Sequence, residues 1–175
     1  MFDGLYAPLL NQFTPSELKL LHGLLNKHIN CPMTSSIGRL FDAFASLLGL
    51  CQINEFEGQA AIALESRAGH QYSIVQQHDL IFDWQPLLLE LCSEKQSVEQ
   101  LASALHQALA DWLFTVAEKI NVQTLALSGG CFQNAQLVER VLRHSAAKNY
   151  CIYHSVNIPP NDGGLALGQI YARVL

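Results

Sequence analysis

The sequence is short of charge. Only 14% of its 175 residues are charged, 10 Lys+Arg against 15 Asp+Glu, for a formal charge of −5 at pH 7. Half of the residues are hydrophobic, and the mean hydropathy is slightly positive at +0.16. A disordered chain has the opposite balance. Ten cations on an acidic chain offer no basic face to a phosphate backbone, so no nucleic-acid partner is expected. No apolar run approaches the roughly 18–20 residues that span a bilayer, so no membrane segment is expected. Met1 to Leu10 carries Asp3 and no basic residue, unlike a secretory leader. CxxC, HxxxH and HExxH spacings are all missing, so neither a disulfide framework nor a paired metal-ligand motif is suggested. The five cysteines, Cys31, Cys51, Cys92, Cys131 and Cys151, read as buried or half-buried free thiols of a cytoplasmic protein. Soluble chains usually carry about a quarter charged residues. The shortfall points to a large buried sheet or to a face normally covered by another lobe.

The length fits one domain with a real core. Thr14-Pro15-Ser16-Glu17 predicts a capped helix start, with Leu18, Leu21, Leu24 and Leu25 on one face as far as about His28. Ser35 or Ser36 caps a second helix that turns Ile37, Leu40, Phe41, Phe44, Leu47 and Leu48 inward and ends at Gly49. A third helix is expected over Gly58–Ala68. Short strands are expected at His70–Val75 and Leu80–Phe82, then a helix over Gln85–Cys92. Ser97 and Gln100 form a second capping box, followed by a long core helix carrying Leu101, Leu105, Leu109, Trp112, Leu113 and Val116. Thr124–Leu127 reads as a strand buried on both faces. A helix from about Asn134 to Ala146, a strand around Cys151–Tyr153, a turn at Pro159–Gly164 and a closing helix over Leu165–Arg173 complete the chain. Strand–helix units in the second half predict an α/β fold with a mostly parallel central sheet.

Four polar, glycine-containing points interrupt this apolar chain. Ser128-Gly129-Gly130 follows a strand and precedes a helix, so it is either a simple connection or a turn that lets backbone approach a ligand. It is neither a P-loop nor a GxGxxG fingerprint. Asp162, in Asn161-Asp162-Gly163-Gly164, is either a turn former or a carboxylate for a hard cation beside a phosphate. Asp42 either pairs with Arg39 three residues earlier or faces a ligand hydroxyl. Gly58, after Glu55-Phe56-Glu57, either starts a helix or admits a ligand against backbone.

Taken in series, four segments carry a specific resemblance. They are Thr34-Ser35-Ser36-Ile37-Gly38-Arg39-Leu40-Phe41-Asp42-Ala43, Phe56-Glu57-Gly58-Gln59-Ala60-Ala61, Leu127-Ser128-Gly129-Gly130-Cys131-Phe132-Gln133-Asn134 and Pro159-Pro160-Asn161-Asp162-Gly163-Gly164-Leu165-Ala166-Leu167-Gly168-Gln169. In residues, order and spacing they resemble the C-terminal part of the HypF hydrogenase-maturation carbamoyltransferases. The Phe-Gln-Asn and Asn-Asp-Gly-Gly elements separate them from the related tRNA threonylcarbamoyltransferases.

The resemblance implies an actin/Hsp70-like ATPase fold (ASKHA), with residues 1–175 forming the second lobe of a Kae1-like domain and about 1–30 a helical lead-in. It implies synthesis of carbamoyl adenylate from carbamoyl phosphate and ATP. The carbamoyl group then passes to the C-terminal cysteine of a HypE-type partner, toward the cyanide ligand of [NiFe] hydrogenase. Matched by motif position, Asp42 binds the ribose hydroxyls and Gly58 lies against the nucleoside. Gly129, Gly130 and Asn134 meet the adenylate, and Asp162 is one ligand of a divalent metal (Mg, Zn or Fe). HypF proteins are several times longer. Their upstream Kae1-like lobe, with its histidine-rich metal motif, has no counterpart in these 175 residues, so the chain by itself is expected to be inactive. Cys131 replaces the family's usual Val and reads as packing. Two alternatives stand beside this reading: a non-catalytic lobe that docks a partner, and an O-carbamoyltransferase of small-molecule biosynthesis. In any of these the isolated chain is expected to self-associate through its uncovered face.

Overall fold

The computed structural model describes residues 11–69, 72–74, 78–93 and 95–174. The chain divides into two compact units, Met1–Leu64 and Glu65–Leu175.

In the first unit, α1 (Pro15–Asn26) starts from the expected capping box. Thr14 Oγ1 accepts from the Glu17 N–H, and Glu17 Oε2 accepts from the Thr14 N–H at 2.8 Å. This satisfies two of the amide groups near a helix start that have no helical partner. Its apolar stripe is not buried, and Leu20, Leu21 and Leu25 are exposed. Helix α2 (Ile37–Leu47) is capped by Ser36 and buries Phe41, Phe44 and Ala45. Gly49 takes a left-handed φ of 71° just beyond its end, the stop signal expected there. Helix α3 (Gln59–Arg67) begins in this unit, with Ala60 and Leu64 buried.

The second unit is organised by α5 (Val98–Lys119), which packs against α4 (Gln85–Cys92) and α6 (Ala135–Arg143). Every residue from 101 to 110 is buried. The leucine stripe alone predicts one buried face. The alanines at 102, 104, 108 and 110, with Ser103, His106 and Gln107, fill the remaining faces, and burial all round is the mark of a central helix. Strands β1 (Thr124–Leu127) and β2 (Cys151–His154) pair in parallel, Leu125 opposite Ile152. They are linked through α6, because parallel strands need a crossover. A 3₁₀ turn at Asp162–Gly164 leads into α7 (Leu165–Val174).

Several expectations need correction. Among the described residues the sheet has two strands rather than a central stack. In β1 only Leu127 is buried, and Thr124 and Ala126 are exposed. Leu80–Phe82 is not a strand. Asp79 Oδ1 accepts from the Leu80 N–H at 2.7 Å and Asp83 Oδ1 from the Gln85 N–H at 3.0 Å. The first bond diverts the Leu80 amide that a ladder would need, and the second serves the start of α4. Phe82 instead meets the edge of Trp112, with ring centres 5.7 Å apart. Of the strand expected at His70–Val75, residues 70, 71 and 75 lie outside the described residues, and 72–74 are irregular. All five cysteines are free thiols, but Cys92 and Cys151 are exposed rather than buried. No helix among the described residues is long and apolar enough to cross a membrane.

Candidate functional site

The six candidate residues fall into two groups, one in each unit. In the first unit, Asp42 lies on α2 with Arg39 Nη2 2.7 Å from its Oδ2. The i,i+3 pairing suggested by the spacing is therefore made. Asp42 Oδ1 lies 3.5 Å from Asn54 Nδ2, a long contact. Asn54 Oδ1 in turn accepts from the Ala60 N–H in the first turn of α3 at 3.1 Å. Gly58 stands immediately before that helix at φ 83°, where a side chain would be strained. Gln59 Oε1 accepts from the Glu55 N–H at 2.6 Å and closes the loop onto the helix start. Asn54 thus links Asp42 to the Gly58 segment. It carries no motif of its own, which is why sequence reasoning passed over it.

In the second unit, β1 runs into Ser128 and Gly129, which has φ 101° and caps a 3₁₀ turn over Gly130–Gln133. The Gly129 N–H donates to the Pro160 carbonyl at 2.7 Å. That bond ties the double-glycine turn to the Pro159–Gly164 turn, joining two motifs about 30 residues apart in the chain. The second turn is tight. Asn161 Oδ1 accepts from the Gly163 N–H at 3.0 Å, and a Cβ on Gly164 would lie 2.7 Å from the Pro159 carbonyl oxygen. Asp162 opens this turn.

Asn134 is buried, and its side chain is engaged within the fold. Its Oδ1 accepts from the Leu137 N–H at 2.9 Å, capping α6. Its Nδ2 lies 2.9 Å from His106 Nε2. His106 Nδ1 lies 2.7 Å from the Ala102 carbonyl oxygen. A carbonyl only accepts, so Nδ1 carries the proton and Nε2 accepts from Asn134. Burial, helped by the charge of Arg140, pushes the His106 pKa down to about 4, so the ring is neutral at pH 7. The Ala135 N–H donates to Glu65 Oε1 at 2.7 Å. Two of the first three donors of α6 are thereby used inside the protein. The helix start that the sequence offers to an anion is already largely satisfied, and what remains beside a ligand is the glycine turn.

Two further polar groups hold the unit together. Arg140 is buried, donates to the Ala68 carbonyl at 3.2 Å and to Gln136 Oε1 at 2.6 Å, and is less basic than usual because of that burial. Asp111 Oδ1 accepts from Gln107 Nε2 at 2.7 Å and from His144 Nε2 at 3.1 Å, while His144 Nδ1 accepts from the Ala146 N–H. With both ring nitrogens bonded and its face stacked 4.4 Å from Phe114, His144 serves packing.

Asp162 would supply one oxygen ligand to the expected metal. Among the described residues no three His, Cys, Asp or Glu side chains converge on a common point. One carboxylate with waters and substrate phosphates is a usual set for Mg²⁺, so these residues by themselves form no complete metal centre.

A double-glycine turn after a parallel strand, pinned to a second tight turn and backed by a capped helix, defines an α/β protein with an exposed glycine turn at a strand's carboxyl end. Residues 3–169 match the family described as carbamoyltransferase, Kae1-like domain, second subdomain. The chain is 36% identical over 152 residues to carbamoyltransferase HypF of Synechocystis, covering 82% of this chain and 20% of that protein. It is 31% identical over 180 residues to a probable carbamoyltransferase HypF of Methanocaldococcus jannaschii, covering 94% and 23%. A crystal structure of full-length HypF in its phosphate- and nucleotide-bound form superposes with a TM-score of 0.72 at 27% identity, covering 96% of this chain and 24% of that one. The chain belongs to the HypF family and corresponds to its C-terminal part. It spans about a fifth to a quarter of the length of these relatives.

Proposed function

We propose that this chain is the nucleotide-facing lobe of a hydrogenase-maturation carbamoyltransferase with the actin/Hsp70-like ATPase fold. In this reading the complete enzyme condenses carbamoyl phosphate with ATP to carbamoyl adenylate. It then passes the carbamoyl group to the C-terminal cysteine thiol of a HypE-type partner. The observation that carries the reading is the Gly129 turn, bonded through its N–H to Pro160, in a chain whose family includes a nucleotide-bound structure. Close approach of backbone to a nucleotide needs glycine at such a turn.

The roles divide by chemistry. The Asp42 carboxylate accepts from ribose hydroxyls, exchanging its contact with Arg39 for them. The Gly58 segment gives the nucleoside a backbone surface. Gly129 and Gly130 line the adenylate, and Asn134 fixes the helix behind them. Transfer depends on positioning and on activation of the electrophile, since the nucleophile is the partner's thiolate. The rest of the cleft comes from a first Kae1-like lobe.

Carbamoyl-phosphate-dependent ATP cleavage tests this. The chain alone is expected to be inactive, and activity is expected when a HypF first lobe is supplied in the same polypeptide. Full turnover by the 175 residues alone would contradict the lobe assignment. A second reading, a non-catalytic docking lobe, draws on the uncovered apolar residues of α7, Leu165, Ile170, Tyr171 and Val174. It gains if Asp42→Ala and Asp162→Ala leave every activity of the assembled enzyme intact.

A further inference from the structure

His106 is fully buried on α5, between Leu105 and Gln107 in the buried run 101–110. An imidazole there costs stability unless both nitrogens are satisfied. Both are, and in a fixed sense: Nδ1–H donates to Ala102 and Nε2 accepts from Asn134. The bond at Nε2 joins α5 to the residue that ends the glycine loop and starts α6. It also fixes which way the Asn134 amide points. With one Nδ2 hydrogen on His106 and Oδ1 on the Leu137 N–H, the amide cannot flip without breaking two buried bonds.

We propose that His106 is the positioning residue for Asn134. By accepting an Nδ2 hydrogen, it holds Oδ1 on the first turn of α6 and so fixes the end of the glycine loop that lines the nucleotide. The loop Gly129–Gln133 is thereby anchored at its end by a neutral ring rather than by a mobile or charged group. This rests on the nucleotide reading above, and His106 itself touches no ligand.

NMR of the wild-type chain, His106→Leu and His106→Gln tests it, with ATP as the titrant. Leucine removes the acceptor, whereas glutamine can place Oε1 near the position of Nε2. In the wild type, a coupling through the hydrogen bond between Asn134 Nδ2 and His106 Nε2 is expected. In His106→Leu the Asn134 amide protons should exchange faster and ATP affinity should fall about tenfold, the size of one buried hydrogen bond. In His106→Gln affinity should return to within about threefold of the wild type. A purely structural role would lower the melting temperature in both variants without this selective rescue. Absence of the coupling in the wild type overturns the proposal, as does unchanged ATP affinity in folded His106→Leu. If His106→Leu does not fold, the wild-type coupling and the glutamine variant decide. A wild-type chain that shows the coupling but no response to ATP overturns the nucleotide reading alone and supports the His106–Asn134 constraint.

Discussion

His106 makes stability depend on pH in a definite direction. Its folded pKa of about 4 lies below the ordinary 6.5, so between these values the unfolded chain binds a proton that the native chain refuses. The stabilising effect of the neutral ring is complete above pH 6.5 and is lost as pH falls toward 4. The shift corresponds to on the order of 3 kcal/mol. Arg140 on α6, whose charge faces the same ring, works in the same sense. Urea melts at pH 7 and pH 5 should show a larger loss in the wild type than in His106→Gln, and equal losses would contradict the assignment. Gly164 is a second residue-scale case. A methyl group there would meet the Pro159 carbonyl oxygen at 2.7 Å, so Gly164→Ala should cost about 1–3 kcal/mol by overpacking, read as a lower urea midpoint at unchanged slope. The Asn161–Gly164 turn could be read from its residues. His106 could not, because nothing in its sequence neighbourhood says that residue 134, 28 positions away, supplies its partner. The available signal was one ring among the leucines and alanines of a long helix.

At the scale of elements, capping explains why helix positions were so readable. The boxes at Thr14 and Ser97 and the Ser36 cap stand where the residue pattern puts them, because caps are local chemistry. Ser97→Ala removes an acceptor from the Gln100 N–H at the start of the central helix and should cost about 1 kcal/mol. A thermal melt of the variant checks this, and an unchanged transition would mean the cap is redundant. Strands were less readable for a physical reason. Leu80–Phe82 has the composition of a strand, yet the Asp79 side chain captures the Leu80 amide. Likewise, the apolar pattern of β1 fits burial on both faces, but burial depends on what lies against the sheet and not on the strand. The helix face of α1 shows the same gap, being amphipathic by sequence and uncovered in the structure.

For the molecule as a whole, the shortage of charge is matched by uncovered apolar surface. Tyr153 on β2, Val156 beyond it and Ile170 and Val174 on α7 are each more than 60% exposed. Parallel sheets are normally covered on both faces, and apolar surface of this kind associates. Sedimentation velocity should show concentration-dependent assembly of the chain, weakened by Ile170→Glu. A single monomer species at every concentration would contradict it. The nucleotide assignment itself is tested most directly by a residue-resolved NMR titration of the chain with ATP. Shifts at Gly129 and Gly130, and shifts at Asp42 and Gly58 that are lost in Asp42→Ala, are the expected result. No shift at these positions, or shifts confined to residues elsewhere, would contradict the chain's role as the nucleotide-facing lobe.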